Sequence, residues 1–236
     1  MVNTVGSYES KHWQKKWLQI KKDATLSPSQ RSFIIGSLLG DGTMRLGKKA
    51  ANANFKVEHG LKQKEYVFWK YEILKDWVYT SPKMSVRYDK ANTAYPKSWW
   101  FRTIRHPILT EIYNHFYTRD GYRVGRKMVP QDIAKCIDDL SLAVWIMDDG
   151  NYARENINIS TYSFTLPETE LLRHMMDKNF SVDIRYYRDR DKGYRMYCNK
   201  KETKKIIQII RPHIVPSMMY KIGFHNPVTT GSKALL

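Results

Sequence analysis

The sequence predicts an α+β fold built from two pseudo-symmetric α-β-β-α-β-β-α repeats, and two observations carry that reading. Two apolar runs end in Asp-Gly, Phe33-Ile-Ile-Gly-Ser-Leu-Leu-Gly-Asp-Gly42 and Ser141-Leu-Ala-Val-Trp-Ile-Met-Asp-Asp-Gly150. Their terminal acids, Asp41 and Asp149, stand 108 positions apart (149 − 41 = 108). After each run the hydrophobic periodicity then changes in the same order, which a chance pair of apolar runs would not do. The length of 236 residues, 42% of them hydrophobic, suffices for one large domain or two small ones sharing a core.

Each element has a local cause. Ser27-Pro28-Ser29-Gln30 opens the first motif helix, with Ser27 as N-cap, Pro28 at the first helical position and Gln30 reaching back. Asp138-Asp139 gives the second motif helix an acidic start. The strand after the first motif alternates Asn52, Asn54, Lys56 and Glu58 against Ala53, Phe55 and Val57. The strand after the second alternates Asn156, Asn158, Ser160 and Tyr162 against Ile157 and Ile159. Helical spacing of apolar residues follows at 62–78 and 167–180. Basic strand pairs come next, at 84–88 with 99–104 and at 182–186 with 194–197. Closing helices at 107–117 and 202–210 each precede a Val-Pro dipeptide, Val129-Pro130 and Val215-Pro216. The organisation is therefore an N-terminal basic, Trp-bearing helical extension (1–26), a first repeat (27–135), a second repeat (136–224) and a tail (225–236).

Charge selects the partner. Forty Lys and Arg against 23 Asp and Glu give a formal charge of +17, so the folded chain repels itself unless a polyanion neutralises it. Ribosomal proteins and membrane-surface binders concentrate such charge in tails or one amphipathic helix, whereas here it is spread among 16 Tyr, 7 Trp and 8 Phe. Nucleic acid is the expected partner. Cys136 and Cys198 lack zinc-ligand spacing and read as packed thiols, and the seven histidines show no ligand spacing. No apolar run approaches membrane-spanning length, and residues 1–10 lack the apolar core of a secretory signal.

The Asp-Gly ends carry the chemistry. A carboxylate at a helix C-terminus meets the negative end of the macrodipole and unpaired carbonyls, an arrangement that a divalent cation turns into a site of hard oxygen ligands. Gly36 and Gly40, four apart, allow a second helix to approach closely, which would bring Asp41 and Asp149 together. Cations ~3.5–4 Å apart or sharing a ligand suit phosphodiester hydrolysis. The facing phosphates of the two strands lie across a minor groove ~6 Å wide.

With its two apolar Asp-Gly helices and doubled element order, the chain resembles the single-chain LAGLIDADG homing endonucleases from about Ser27 to Phe224. The runs Trp145-Ile-Met-Asp-Asp-Gly150 and Val215-Pro-Ser-Met-Met-Tyr-Lys221 are similar to those of intron-encoded yeast mitochondrial members. The resemblance implies two saddle-shaped antiparallel sheets lying in the major groove and a staggered cut of both strands with 3′ overhangs. By position, the metal-binding carboxylates are Asp41 and Asp149, with the Gly40 and Asp148 carbonyls as supplementary ligands. Lys127 and Lys221 match the basic residues that organise the attacking water and stabilise charge at the phosphate. Glu58 and Tyr162 fall where a polar, water-orienting side chain is often placed. The implied cofactor is Mg²⁺ or Mn²⁺, with Ca²⁺ binding but not supporting efficient cleavage. Val144 and Asp148 stand where the first motif has Gly36 and Gly40, and this asymmetry implies a non-palindromic target.

The basic strand residues Arg45, Lys56, Arg87, Arg102, Arg105, Arg154, Arg185, Arg188 and Arg195 would divide between phosphates and base edges. Arg87 and Arg185 are the preferred base readers, because they alternate with Val86 and Ile184, expected to be buried. Tyr186, Tyr187, Tyr194 and Tyr197 would pack in the core and rim or touch base methyls and sugars. The expected partner is double-stranded DNA, held by a monomer without membrane association in an organelle (mitochondrion or chloroplast) or the bacterial cytoplasm. Two alternatives stay open: an intron RNA maturase on the same scaffold, and a DNA-binding regulator expected to have lost at least one of the paired acids or gained an extra binding domain.

Overall fold

The computed structural model describes residues 24–47, 50–118 and 125–224. The helix expected around 10–22 and the tail from 225 lie outside the described residues. The first motif forms helix α1 (Pro28–Leu39) and the second forms α4 (Asp139–Asp149). Both begin with reciprocal caps. The Gln30 amide donates to Ser27 Oγ at 3.2 Å while the Ser27 amide donates to Gln30 Oε1 at 3.1 Å. At α4 the Ser141 amide donates to Asp138 Oδ1 at 2.9 Å and the Asp138 amide to Ser141 Oγ at 2.8 Å. Ser32 Oγ then donates to Asp138 Oδ2 at 2.5 Å, tying the two helix starts together.

Between α1 and its closing helix α3 (Pro107–Phe116) run β1 (Thr43–Arg45), β2 (Asn54–Gly60), α2 (Lys64–Leu74), β3 (Lys83–Tyr88) and β4 (Ala94–Arg102). After α4 come β5 (Gly150–Ala153), β6 (Asn156–Thr161), α5 (Leu166–Phe180), β7 (Arg185–Arg188), β8 (Tyr194–Tyr197) and α6 (Lys200–Ile210). The expected order holds in both halves. Each half has an antiparallel four-stranded sheet, ordered β1-β2-β4-β3 and β5-β6-β8-β7.

The pleat assigns the faces. Phe55, Val57 and Phe101 in one sheet and Ile157, Ile159 and Met196 in the other turn into a continuous core. Two boundaries differ from the sequence reading. Val86, expected in the core, is 43% exposed, as is Met84 (46%) two residues earlier, because both stand on the edge strand β3, none of whose residues is buried. Tyr162, expected on a strand, lies one residue past β6. No helix of the described residues is long and apolar enough to cross a membrane.

The core is organised by contact between α1 and α4, which explains why both motifs are apolar on nearly every side. Residues 32–39 of α1 and 141–148 of α4 are all buried. A Cβ on Gly36 would lie 2.3 Å from the Ser141 carbonyl oxygen, and one on Gly40 would lie 2.4 Å from Asp148 Cβ. Glycine at both positions lets the helices touch. Gly36→Ala is therefore expected to lower stability by about 1–3 kcal/mol through overpacking against backbone. Gly60→Ala, whose Cβ would meet nothing within 4 Å, should leave it unchanged or slightly raised. Urea unfolding of the two variants beside the parent measures both effects.

Candidate active site and nucleic-acid interface

The two Asp-Gly segments end their helices differently. Helix α1 stops at Leu39, the Gly42 amide donates to Ser37 O at 2.7 Å, and Asp41 sits in the intervening turn with its side chain 49% exposed. Helix α4 continues through Asp149, and Gly150 caps it by donating to Ile146 O. In both halves a lysine closes the helix end. Lys127 Nζ donates to the carbonyls of Gly40 (2.6 Å) and Gly42 (3.0 Å), on either side of Asp41. Lys221 Nζ donates to the carbonyls of Asp148 (3.1 Å) and Gly150 (2.8 Å), on either side of Asp149. The structure thus brings Lys127 and Lys221 to equivalent positions although neighbouring secondary structure differs: Lys127 lies in a bridge with Tyr117, Lys221 in a 3₁₀ turn spanning Pro216–Ile222.

The electrostatics follow from three carboxylates and several cations sharing one interior. Burial, with the negative charges of Asp41 and Asp148 added, pushes the Asp149 carboxyl up to about 7. Burial also acts on Asp41, but the His59 hydrogen bond and charge, with Lys70 and Lys127 nearby, outweigh it and hold that carboxyl below its ordinary value. Burial lowers both lysine ammoniums, against the pull of Asp41, Asp148 and Asp149. The acids therefore sense one another, and one of them carries the cost. Such a cluster fits a hard divalent cation: carboxylate oxygens are concentrated, and each carbonyl bonded to a lysine keeps a second lone pair.

Sequence reasoning missed the residues beneath Asp41. Asp148 was expected to contribute its carbonyl, but its carboxylate is also engaged. It accepts from Lys70 Nζ (2.6 Å), Tyr66 Oη (2.7 Å) and the Asp41 amide (3.2 Å). The side chains of Asp148 and Lys70 are fully buried. His59, to which no chemistry was assigned, places Nδ1 3.4 Å from Asp41 Oδ2 and Nε2 3.8 Å from Asp148 Oδ1. A signal existed: His59 occupies the apolar phase of β2 after Phe55 and Val57, and Lys70 falls on the face of α2 that carries Tyr66, Val67 and Leu74.

Glu58 lies on the outer face of β2, accepting from Lys56 Nζ and Ser98 Oγ, and the Lys56 bond leads the effects that hold its carboxyl below the usual range. With Asp41, Lys56 and Lys97 it lines a groove of about 450 Å³. Its counterpart is not Tyr162. Thr43 pairs with Lys56, and Asn151 pairs with Asn158, so the position equivalent to Glu58 is Ser160. Tyr162 Oη instead donates to Asp189 Oδ2 at 2.6 Å.

The registers also sort the basic residues. Arg45, Lys56 and Arg102 share the outer face of the first sheet, since Arg45 opposes Asn54 and Lys56 opposes Arg102. Arg87 is two residues along β3 from Ser85, whose hydroxyl bonds Ser98 on that face. Arg185 and Arg195 share the outer face of the second sheet, opposing Tyr197 and Ser160. Three residues stand apart. Arg188 opposes Tyr194, on the alternate face from Arg185 and Arg195. Arg105 lies beyond β4 and donates to Asn52 O at 2.9 Å. Arg154 is at the tip of the β5–β6 hairpin with φ +51°.

The raised Asp149 pKa makes a prediction about the metal-free protein. A carboxyl whose folded pKa exceeds its unfolded value leaves stability intact below about pH 4 and removes it progressively as pH rises to about 7. Asp149→Asn abolishes that loss. In chelator-containing buffer its melting temperature should match the parent near pH 4 and exceed it by on the order of 5 °C above pH 7. A gap that does not grow with pH would remove the assigned origin of the shift.

Comparison with known proteins gives the family. The family described as LAGLIDADG DNA endonuclease matches residues 31–206. The cytochrome b mRNA maturase bI2 of Debaryomyces hansenii is 29% identical over 204 residues, covering 84% of this chain and 75% of that protein. The DNA endonuclease I-ChuI of Chlamydomonas applanata is 28% identical over 213 residues, covering 86% and 98%. The structure of the homing endonuclease I-WcaI bound to its DNA recognition sequence superposes with a TM-score of 0.79 at 22% identity, covering 89% and 93%, and so shares the fold. Two Asp-Gly helices in contact, two antiparallel sheets and this match over most of its length make the chain a member of the LAGLIDADG endonuclease family.

Proposed function

We propose that the chain is a site-specific homing endonuclease that cuts a long, non-palindromic DNA duplex across the minor groove, leaving 3′ overhangs. The observation that carries this reading is the paired geometry at the helix ends: an Asp in each half, each flanked by carbonyls that receive one lysine. A purely binding protein has no need to concentrate Asp41, Asp149 and a third carboxylate in one interior and accept a pKa near 7.

In this reading Asp41 and Asp149 hold Mg²⁺ or Mn²⁺, with the Gly40 and Asp148 carbonyls as supplementary ligands. The bound cation supplies charge stabilisation at the scissile phosphate and a water of lowered pKa. Lys127 and Lys221 hold the helix-end carbonyls in place and set positive charge beside the phosphate. Glu58 and Ser160, at equivalent strand positions, face the two halves of the cut and orient water. Tyr162 is left with a packing role toward Asp189. The outer faces of both sheets enter the major groove, with Arg45, Lys56, Arg87 and Arg102 on one half and Arg185 and Arg195 on the other. The halves correspond to residues 27–135 and 136–224 of a monomer. Intron RNA is the second partner, a reading supported by similarity to a curated mRNA maturase. An organelle or bacterial intron is the fitting source.

Three measurements test it. Asp41→Asn or Asp149→Asn should abolish cleavage of the insertion-site duplex in Mg²⁺ while leaving affinity within a few-fold; metal-independent cutting by either variant would overturn the mechanism. Lys127→Met and Lys221→Met should each slow cleavage by about 10² or more, against a small change in binding. Arg87→Ala or Arg185→Ala should relax preference at one base pair by ~1–3 kcal/mol, whereas a uniform loss with a salt slope flattened by ~0.9 would make that residue a phosphate contact.

A further inference from the structure

The two halves are not equally equipped around their acids. Beneath Asp41 lies a buried polar network of Lys70, Asp148, Tyr66 and His59. Among the described residues, the matching positions near Asp149 hold no buried lysine–carboxylate pair. By register and burial Thr161 matches His59 and Leu172 matches Lys70, while Glu168, at the position of Tyr66, is bonded to Arg126, and the sequence has Gly40 where the second motif has Asp148. Thr161 spends its hydroxyl on Tyr194 O, and Leu172 is fully buried in the core.

A buried ion pair is weak support for stability, because desolvating two charges consumes most of their attraction and an apolar pair of similar size does as well. The pair nevertheless sits in the tightest part of the helix interface, where Gly40 has no side chain and so leaves room for the Asp148 carboxylate. That carboxylate spends one oxygen on Lys70 and Tyr66 and the other on the backbone amide of Asp41. His59 lies between the two carboxylates, with Nδ1 3.4 Å from Asp41 Oδ2 and Nε2 3.8 Å from Asp148 Oδ1, beyond hydrogen-bond reach. Both the backbone and the side chain of Asp41 are therefore held by groups from elsewhere in the chain, one of them donated by the opposite half.

We propose that Lys70, Asp148 and His59 are positioning residues that fix Asp41 and so make the first half's cation site pre-formed, while the site at Asp149 lacks such support. The inference rests on the endonuclease reading for its kinetic consequence and on geometry alone for its binding consequence. Fixed geometry matters because loss of about 1 Å of placement at a catalytic group can cost about 10²-fold in rate. The consequence is strand-specific: disturbing the network slows the bond served by Asp41 and leaves the bond served by Asp149 nearly untouched.

The test uses the full chain with two variants, His59→Phe, which keeps a ring in place, and the double variant Lys70→Met with Asp148→Asn, which removes both buried charges without leaving one unpaired. Thr161→Val is the control in the other half. Strand-resolved cleavage of the insertion-site duplex should show one strand slowed 10-fold or more relative to the other in both variants, with a nicked intermediate accumulating, and an unchanged strand ratio in the control. Mn²⁺ titration of the chain, read by electron paramagnetic resonance, should show one of two sites weakened about 10-fold and the other unchanged. Equal slowing of both strands alongside a lowered melting temperature would make the network merely structural and overturn the proposal, as would an unaltered Mn²⁺ isotherm. If the parent cuts no DNA, the endonuclease reading falls while the Mn²⁺ isotherms still decide whether Asp41 is positioned by these residues.

Discussion

Contact between α1 and α4 without intervening side chains is the constraint on which the rest of the molecule depends. At Gly36 and Gly40 the second helix approaches to distances that any Cβ would forbid. The two helix ends are thereby forced into one neighbourhood, so acids 108 positions apart become electrostatic partners. The same contact buries both motifs on nearly all sides and leaves each sheet to cover its own flank of the core. Helix packing, core and acid pair are thus consequences of two missing side chains.

That arrangement creates an electrostatic problem, and the lysines show how it is contained. Helix C-termini present unpaired carbonyls and partial negative charge, to which the motif adds full negative charge at Asp41 and Asp149. Lys127 and Lys221 answer the carbonyl part of the problem, each bridging the two carbonyls that flank an acid. Burial, with the charges of Asp41 and Asp148, keeps Asp149 pushed upward although both ammoniums pull it down. Carboxylate oxygens from Asp41, Asp148 and Asp149 thus stay concentrated at the helix ends beside those ammoniums. Outside this interior the surface is strongly basic, with a formal charge of +17 over the whole chain.

Most of the fold was legible because it is periodic. The doubled α-β-β-α-β-β-α order, both helix caps and the identity of the core strands follow from alternation, helical spacing and capping chemistry, all of which are local. What was not legible depended on register. The place of β3 at the sheet edge leaves Val86 exposed, and only the pairing of Asn151 with Asn158 reveals that Ser160, not Tyr162, matches Glu58. The site was legible where it repeats, at Asp41 with Asp149 and Lys127 with Lys221. It was hidden where it does not. Lys70 in a helix with two Lys and two Glu, and His59 beside Glu58 on its strand, resemble surface residues until tertiary packing buries them, although each stands in the apolar phase of its element.

Those non-repeating residues make the two halves of a duplicated fold chemically unequal. Two identical halves would read a palindrome and treat its strands alike, since every contact would recur by symmetry. Here the symmetry is kept in the backbone and in the lysines, and broken at the acids. Asp148 replaces the glycine of the first motif and is accommodated only because Gly40 opposite it stays small. Once present, a buried carboxylate demands a partner, and Lys70 supplies it from α2. The resulting pair then hydrogen-bonds the Asp41 amide, while Asp149 feels only the charge of Asp148. A single substitution of glycine by aspartate at the helix interface thus requires a buried lysine, couples it to one acid, and makes the two helix ends chemically unequal.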